Sequence, residues 1–167
     1  MADANSSWAD PTLAIMVDGW SAYQDQLITA LEPLTAEQLT LQAGPGLRTV
    51  GEVATHVVSV RASWFHTALG VGDEAFGAIA GWQRPDAPTR TAAELVAGLR
   101  ETWRVMTEAL AGWSAADLAA TVEGVRRGEP FSLVRGWVVW HVIEHDLHHG
   151  GELSYAIGMH GLPGVDI

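Results

Sequence analysis

Between Ser132 and His160 the chain runs without a proline, and its apolar residues recur at helical spacing. Inside this segment lies His141-Val142-Ile143-Glu144-His145-Asp146-Leu147-His148-His149-Gly150-Gly151-Glu152-Leu153, which holds four of the seven histidines of the chain. At about 100° per residue, His141, His145, His149 and Glu152 share one stripe with Val134, Val138 and Ala156. Imidazoles thus occupy the face that ought to be core. A fold for this chain must either satisfy them there or use them.

The rest of the chain supplies helices to pack against that stripe. Asp10-Pro11 reads as an N-cap followed by proline at the first helical position, and Leu13, Val17, Trp20, Leu27, Ile28 and Leu31 follow at helical spacing as far as Glu32. Pro33 ends the helix, and Thr35 with Gln38 three residues on marks a short capped turn. Thr49 and Glu52 form a capping-box signature for a second helix, with Val53, His56, Val60, Ser63 and Thr67 as its inward stripe. Gly70 to Arg90, rich in glycine and proline, reads as a long, partly ordered excursion over one end of a bundle, in the manner of a lid.

A third helix spans about Thr91 to Trp113, with Leu95, Leu99, Trp103, Met106 and Leu110 on its apolar face. Ser114 to Leu118 repeats the capped-turn pattern, and Arg126-Arg127-Gly128-Glu129-Pro130 reads as a hairpin tip or a loop. The fourth helix then carries the histidines to about Met159 and ends at Gly161. Leu34 to Leu39 followed by His56-Val57-Val58 echoes Trp113 to Leu118 followed by His141-Val142-Ile143. That echo implies two helix pairs related by pseudo-symmetry, with the second and fourth helices facing each other. The fold class expected is all-α: an up-down four-helix bundle with a long connection between helices two and three, residues 1–167 forming one domain.

Composition narrows the chemistry. The nine basic residues are all arginine, and with no lysine and no cysteine the chain can form neither a Schiff base, a cysteine nucleophile, a disulfide nor a thiolate ligand. Histidine and carboxylate remain. A formal charge of -11 repels phosphate backbones and anionic lipid, so neither nucleic acid nor membrane is an expected partner. The polar start Met1-Ala2-Asp3-Ala4-Asn5-Ser6-Ser7 has no apolar h-region, and no run of apolar residues is long enough to span a bilayer, which gives a cytoplasmic expectation.

Two imidazoles four residues apart on a helix can converge on one ion. A third ligand must come from another element, and His56 on the second helix is the best placed. Three neutral imidazoles leave coordination positions open, the arrangement of a catalytic site rather than a closed structural one. His141 and His149 lie about 12 Å apart along the axis and cannot share an ion with His145 between them. The spacing therefore allows His141 with His145, or His145 with His149.

Arg48-Thr49-Val50-Gly51-Glu52 leading to His56, the run His145-Asp-Leu-His-His149-Gly-Gly-Glu-Leu153, and the exit Gly161-Leu162-Pro163 resemble the DinB/YfiT-like four-helix-bundle metalloproteins over most of the chain. The resemblance implies a divalent metal held by His56, His145 and His149. It also implies activity of the kind some members show, as thiol S-transferases or isomerases that use bacillithiol, mycothiol or glutathione, and a homodimer. The chain departs from the pattern at Gly150, where members often carry a basic residue, and at Glu152, where they often carry Gln. Two consecutive glycines inside a helix cost roughly 1 kcal/mol each relative to alanine, which points to the close approach of a neighbour or ligand.

For His56, His145 and His149 the competing reading is hydrogen-bonded core histidines, and convergence on paired stripes favours metal. For His141 and His148 the plain structural role is preferred, with His148 flanking the site. Glu152, one turn past His149, is the candidate catalytic residue, as outer carboxylate or general base, with pairing to an arginine as its plain alternative. Trp137 and Trp140 read as core, with the floor of an apolar pocket as the alternative. The outline His145-Asp146-Leu147-His148-His149 also matches a zinc-protease motif with Asp for Glu, a weaker reading for lack of a downstream ligand.

The function expected is that of a metal-dependent enzyme acting on a small-molecule substrate with a low-molecular-weight thiol, or a hydrolase with the same ligands. The alternative is a noncatalytic metal- or small-ligand-binding, stress-associated bundle. Zinc, nickel, iron and manganese all suit imidazole ligands.

Overall fold

The computed structural model describes residues 8–126 and 128–166, so the polar start Met1–Ser7 and Arg127 lie outside the described residues. Four long helices make the bundle: α1 (Pro11–Leu31), α2 (Val50–Ala62), α4 (Ala92–Ala111) and α6 (Arg135–Gly158). Two short helices, α3 (Glu74–Ile79) and α5 (Ala115–Ala119), and a hairpin of β1 (Thr121–Arg126) and β2 (Glu129–Val134) complete it. α1 and α2 each pack on both α4 and α6. The chain is all-α in class with one small two-stranded sheet, paired from Thr121 opposite Val134 to Arg126 opposite Glu129. No helix of the described residues is long and apolar enough to cross a membrane.

The helices begin where side chains can satisfy the free N–H groups of a first turn. Asp10 accepts from the backbone N–H of Thr12 and of Leu13, and Pro11 takes the first helical position of α1. Reciprocal capping boxes, Thr49 with Glu52 and Thr91 with Glu94, start α2 and α4. Ser114 with Asp117 starts α5 in the same way. Thr35 and Gln38 make the same exchange before the 3-10 turn Gln38–Thr40.

Several expectations are corrected. α2 passes into a π-helical turn over Ser63–Ala68, whose wider winding turns the stripe so that Trp64 and Phe65 are buried while Thr67 is exposed. Residues 70 to 90 do not arch over a bundle end. They fold as α3 and a 3-10 turn (Ala80–Gln83) packed along α2, with Phe76 and Ile79 buried. The segment is pinned because Trp82 lies where a side chain at Gly98 would project, and Arg90 stacks 4.5 Å above the Trp82 ring.

Val134 ends β2 and is exposed, so it does not join the buried stripe of α6. Trp137 and Trp140 are not core: they are 45% and 54% exposed, because Val138, Val139 and Val142 take the inward positions of those turns. Trp20 is buried and meets the half-buried Trp103 edge-on, ring centroids 5.0 Å apart.

The centre of the bundle is polar. Arg61 of α2 and Asp146 of α6 are both fully buried, with Arg61 Nη2 2.7 Å from Asp146 Oδ2. That contact is ionic rather than well directed; Arg61 Nε donates to the same oxygen at 2.9 Å, and Trp20 Nε1 of α1 donates to it at 2.8 Å. Arg61 Nη1 donates to Gln24 Oε1 at 2.7 Å, and Gln24 Nε2 donates to the Leu99 carbonyl of α4 at 3.1 Å. One buried network thus joins all four long helices. Burial pushes the Asp146 carboxyl above its ordinary range, against the pull of Arg61 and Trp20.

The internal echo has a structural counterpart. A side chain at Gly51 would meet the Leu39 carbonyl, and one at Gly136 would meet the Leu118 carbonyl, each Cβ 3.2 Å from the oxygen. Each capped turn is thus seated on a glycine in the first turn of the next long helix. Gly51 and Gly136, His56 and His141, and Arg61 and Asp146 are all separated by the same 85 residues.

The paired glycines of α6 have different surroundings. A Cβ at Gly150 would run into the hydroxyl and ring of Tyr23, whose side chain is buried, whereas one at Gly151 meets nothing within 4 Å. Gly150→Ala is expected to destabilise the protein by about 1–3 kcal/mol through overpacking, since the packed ring cannot swing away. Gly151→Ala is expected to stabilise it by up to about 1 kcal/mol through helix propensity. Thermal melting of both variants checks the pair, and equal effects would contradict the packing described.

Candidate metal centre

α2 and α6 pack side by side, and this brings His56, His145 and His149 together, each offering a ring nitrogen within 4.8 Å of the others. The ring centroids of His56 lie 4.8 Å from His145 and 4.7 Å from His149, with His145 and His149 4.3 Å apart. His145 Nε2 is 3.0 Å from His56 Nε2. His141 is not part of the group. It stacks on Trp137 at 5.1 Å, with Nδ1 3.4 Å from Glu144. His148 is exposed, its ring 4.7 Å from that of His149.

Outer partners fix which nitrogen each ring presents. His56 Nδ1 donates to Gln83 Oε1 at 2.7 Å, and His149 Nδ1 donates to Glu152 Oε2 at 2.7 Å. Both neutral rings therefore leave Nε2 unprotonated, and that of His56 faces His145. Glu152 Oε2 is also 3.5 Å from Arg48 Nη2, so the carboxylate braces a histidine and pairs with an arginine at once. His148, His149 and Glu152 form a second close group, but it reuses His149 and the oxygen already engaged with it.

The electrostatics keep the rings neutral. Burial, reinforced by the neighbouring imidazoles of His149 and His56, pushes His145 down to about 3. Burial also lowers His56, against the Gln83 hydrogen bond, and lowers His149, against Glu152.

The donor set fits a divalent first-row ion. The Nε2 atoms of His56 and His145 stand 3.0 Å apart, a hydrogen-bond distance that is also within the span of two metal–nitrogen bonds of about 2.1 Å. His145 Nδ1 is buried with no hydrogen-bond partner among the described residues. If Nδ1 carries the proton, two lone pairs face each other across the gap, and a cation between them would relieve that repulsion.

Against this geometry, a sequence model of the DinB superfamily matches residues 20–153. The chain belongs to the DinB superfamily. No protein with a curated description matches it. Its structure is similar to that of a DinB-like protein from Bacillus cereus ATCC 10987, with a TM-score of 0.69 at 23% identity over 90% of this chain and 94% of that one. It is also similar to a protein assigned to the DinB family from Exiguobacterium sibiricum 255-15, with a TM-score of 0.64 at 17% identity over 89% and 91% of the two chains. These likenesses concern the fold of the superfamily.

Two features correct the residue-level reading. Asp146 follows His145 directly but points into the core, where it holds Arg61 and Trp20, so it is not available as the acid of a protease-like motif. Gln83, which orients His56, comes from the long connection, and nothing local in the sequence marks it. A groove of about 660 Å³ also lies away from the histidines. Tyr23, Leu147, Gly151, Tyr155 and Met159 line it, on the opposite side of α6.

Proposed function

We propose that this DinB superfamily member is a divalent-metal-dependent enzyme, with His56, His145 and His149 as the ligands and Glu152 as the adjoining carboxylate. The observation that carries the reading is the 3.0 Å approach of two imidazole Nε2 atoms from different helices, in rings kept neutral by burial. When bound, a divalent ion supplies positive charge that favours loss of a proton from a thiol or water beside it.

The residues of the chain do the remaining work. Gln83 and Glu152 hold two rings in the tautomer that presents Nε2, and Glu152 Oε1 accepts no hydrogen bond among the described residues. A chain without cysteine must receive any thiol from solution. The reaction class proposed is therefore transfer of a low-molecular-weight thiol to a small electrophile, or the related isomerisation.

A noncatalytic metal- or ligand-holding bundle is the second reading, and the position of a 660 Å³ groove away from the histidines supports it. Equilibrium dialysis of untagged protein against zinc, nickel, iron(II) and manganese tests the common premise, with one equivalent expected. A screen of thiols against electrophiles on the loaded protein separates the readings. Turnover supports the enzyme, and tight metal with no turnover across the screen supports the carrier.

Gln83→Ala is expected to weaken metal binding by about 10- to 100-fold, as loss of an outer partner to a ligating histidine does elsewhere. Competition with a chelator measures it. An unchanged affinity would mean that the hydrogen bond to His56 does not matter to the ion.

A further inference from the structure

In a chain of net charge -11, most of the described arginine side chains are already engaged. Arg61 is buried on Asp146, and Arg90 and Arg135 lie over the faces of Trp82 and Trp113. Arg100 pairs with Glu32 at 3.2 Å, and Arg104 is clamped by Glu101 and Glu108 at 2.7 and 2.8 Å. Arg48 and Arg84 are left. Arg48 makes a single 3.5 Å contact to a Glu152 oxygen that His149 already holds at 2.7 Å. Arg84 has no carboxylate partner among the described residues, and it directly follows Gln83, the partner of His56.

Among the described residues, Arg48 and Arg84 thus sit on the two segments that touch the histidine cluster from outside. Arg48 is 43% exposed and its loop is braced: Gln42 pairs with Thr49, Gln42 Nε2 donates to the Leu47 carbonyl at 2.6 Å, and His160 Nε2 donates to the Gln42 carbonyl at 2.9 Å. A cation held in place beside neutral imidazoles, on a protein whose general field repels anions, forms a local site for one.

We infer that Arg48 anchors a carboxylate of the small molecule that works at the histidine cluster, its guanidinium forming the cationic rim there; this rests on the function proposed above. A carboxylate matches the planar fork of a guanidinium and replaces the loosely held Glu152 like for like. A phosphate would bring up to two negative charges beside Glu152, which the rim offsets less well. The substrate class is therefore a carboxylate-bearing thiol or electrophile rather than a neutral or phosphorylated one.

Titration calorimetry at low ionic strength tests this on both metal-free and zinc-loaded protein, using succinate, its neutral diamide and inorganic phosphate as probes. Arg48→Gln is compared with the wild type, and Arg100→Gln, on a surface pair remote in sequence, serves as the control. Succinate is expected to bind in preference to the other two, and to weaken about 10- to 100-fold in Arg48→Gln, the span of a lost charge-assisted hydrogen bond. Arg100→Gln should bind as the wild type does. Equal succinate binding by Arg48→Gln, or tighter binding of phosphate or the diamide, overturns the inference. Because the metal-free arm reads the arginine alone, failure to bind zinc would remove the metal reading without touching this result.

Discussion

Arg61→Ala is expected to cost about 3–5 kcal/mol of stability, the usual effect of removing one partner from a buried ion pair. At this chain length that corresponds to a fall in Tm of roughly 6–20 °C. The loss has two sources: Asp146 is left fully buried without its counter-charge, and Gln24 loses the donor that ties α1 to α2. The sign of its pH dependence follows from the carboxyl. Burial already raises Asp146, and removal of Arg61 takes away the main opposing effect, so the folded variant binds a proton well above the pH at which the unfolded chain does. A group raised in the folded state contributes stability at low pH and loses it as pH rises through its folded value. Arg61→Ala should therefore lie closest to the wild type in mild acid and fall furthest behind it near neutrality. Thermal melts from pH 4 to 8 measure both effects. A loss below about 1 kcal/mol would mean that water reaches the pair.

His145→Ala is expected to reduce zinc affinity by at least about 100-fold, more than loss of an outer partner, because the ring belongs to both short contacts of the cluster. His141→Ala should leave affinity unchanged, since its ring is stacked on Trp137 and faces Glu144. The proton linkage is separate and is read on metal-free protein. With His145 near 3 in the fold and about 6.5 when unfolded, its neutral form contributes stability above pH 6.5 that is lost as pH falls towards 3. His145→Ala should lack that part of the acid slope. Chelator competition and acid titration provide the two readouts, and wild-type zinc affinity in the variant would exclude His145 as a ligand.

The helix starts were legible because each is a local bargain between a side chain and its own first turn. Asp10, Thr49 and Ser114 all cap as their sequences imply. His56, His145 and His149 were legible as a group because i and i+4 spacing fixes two of them on one face, and the resemblance chose His149 over His141. What was hidden was long-range. The π-helical turn after Ala62 depends on packing rather than on any breaker residue. Gln83 reaches His56 across 27 positions, and Arg61 meets Asp146 across 85. Trp137 and Trp140 misled because size and apolarity say what a residue prefers, while the valines beside them decided which face turned inward.

The Arg61–Asp146 contact also bears on how the two halves of the chain know each other. The residues occupy matching places in the repeated pattern, so two identical copies of either half, assembled in this way, would set arginine against arginine or aspartate against aspartate at the most secluded point of the interior. Like charges there repel with almost no solvent to screen them. At that point each half is matched to the other and not to itself, because the arginine of one meets the aspartate of the other.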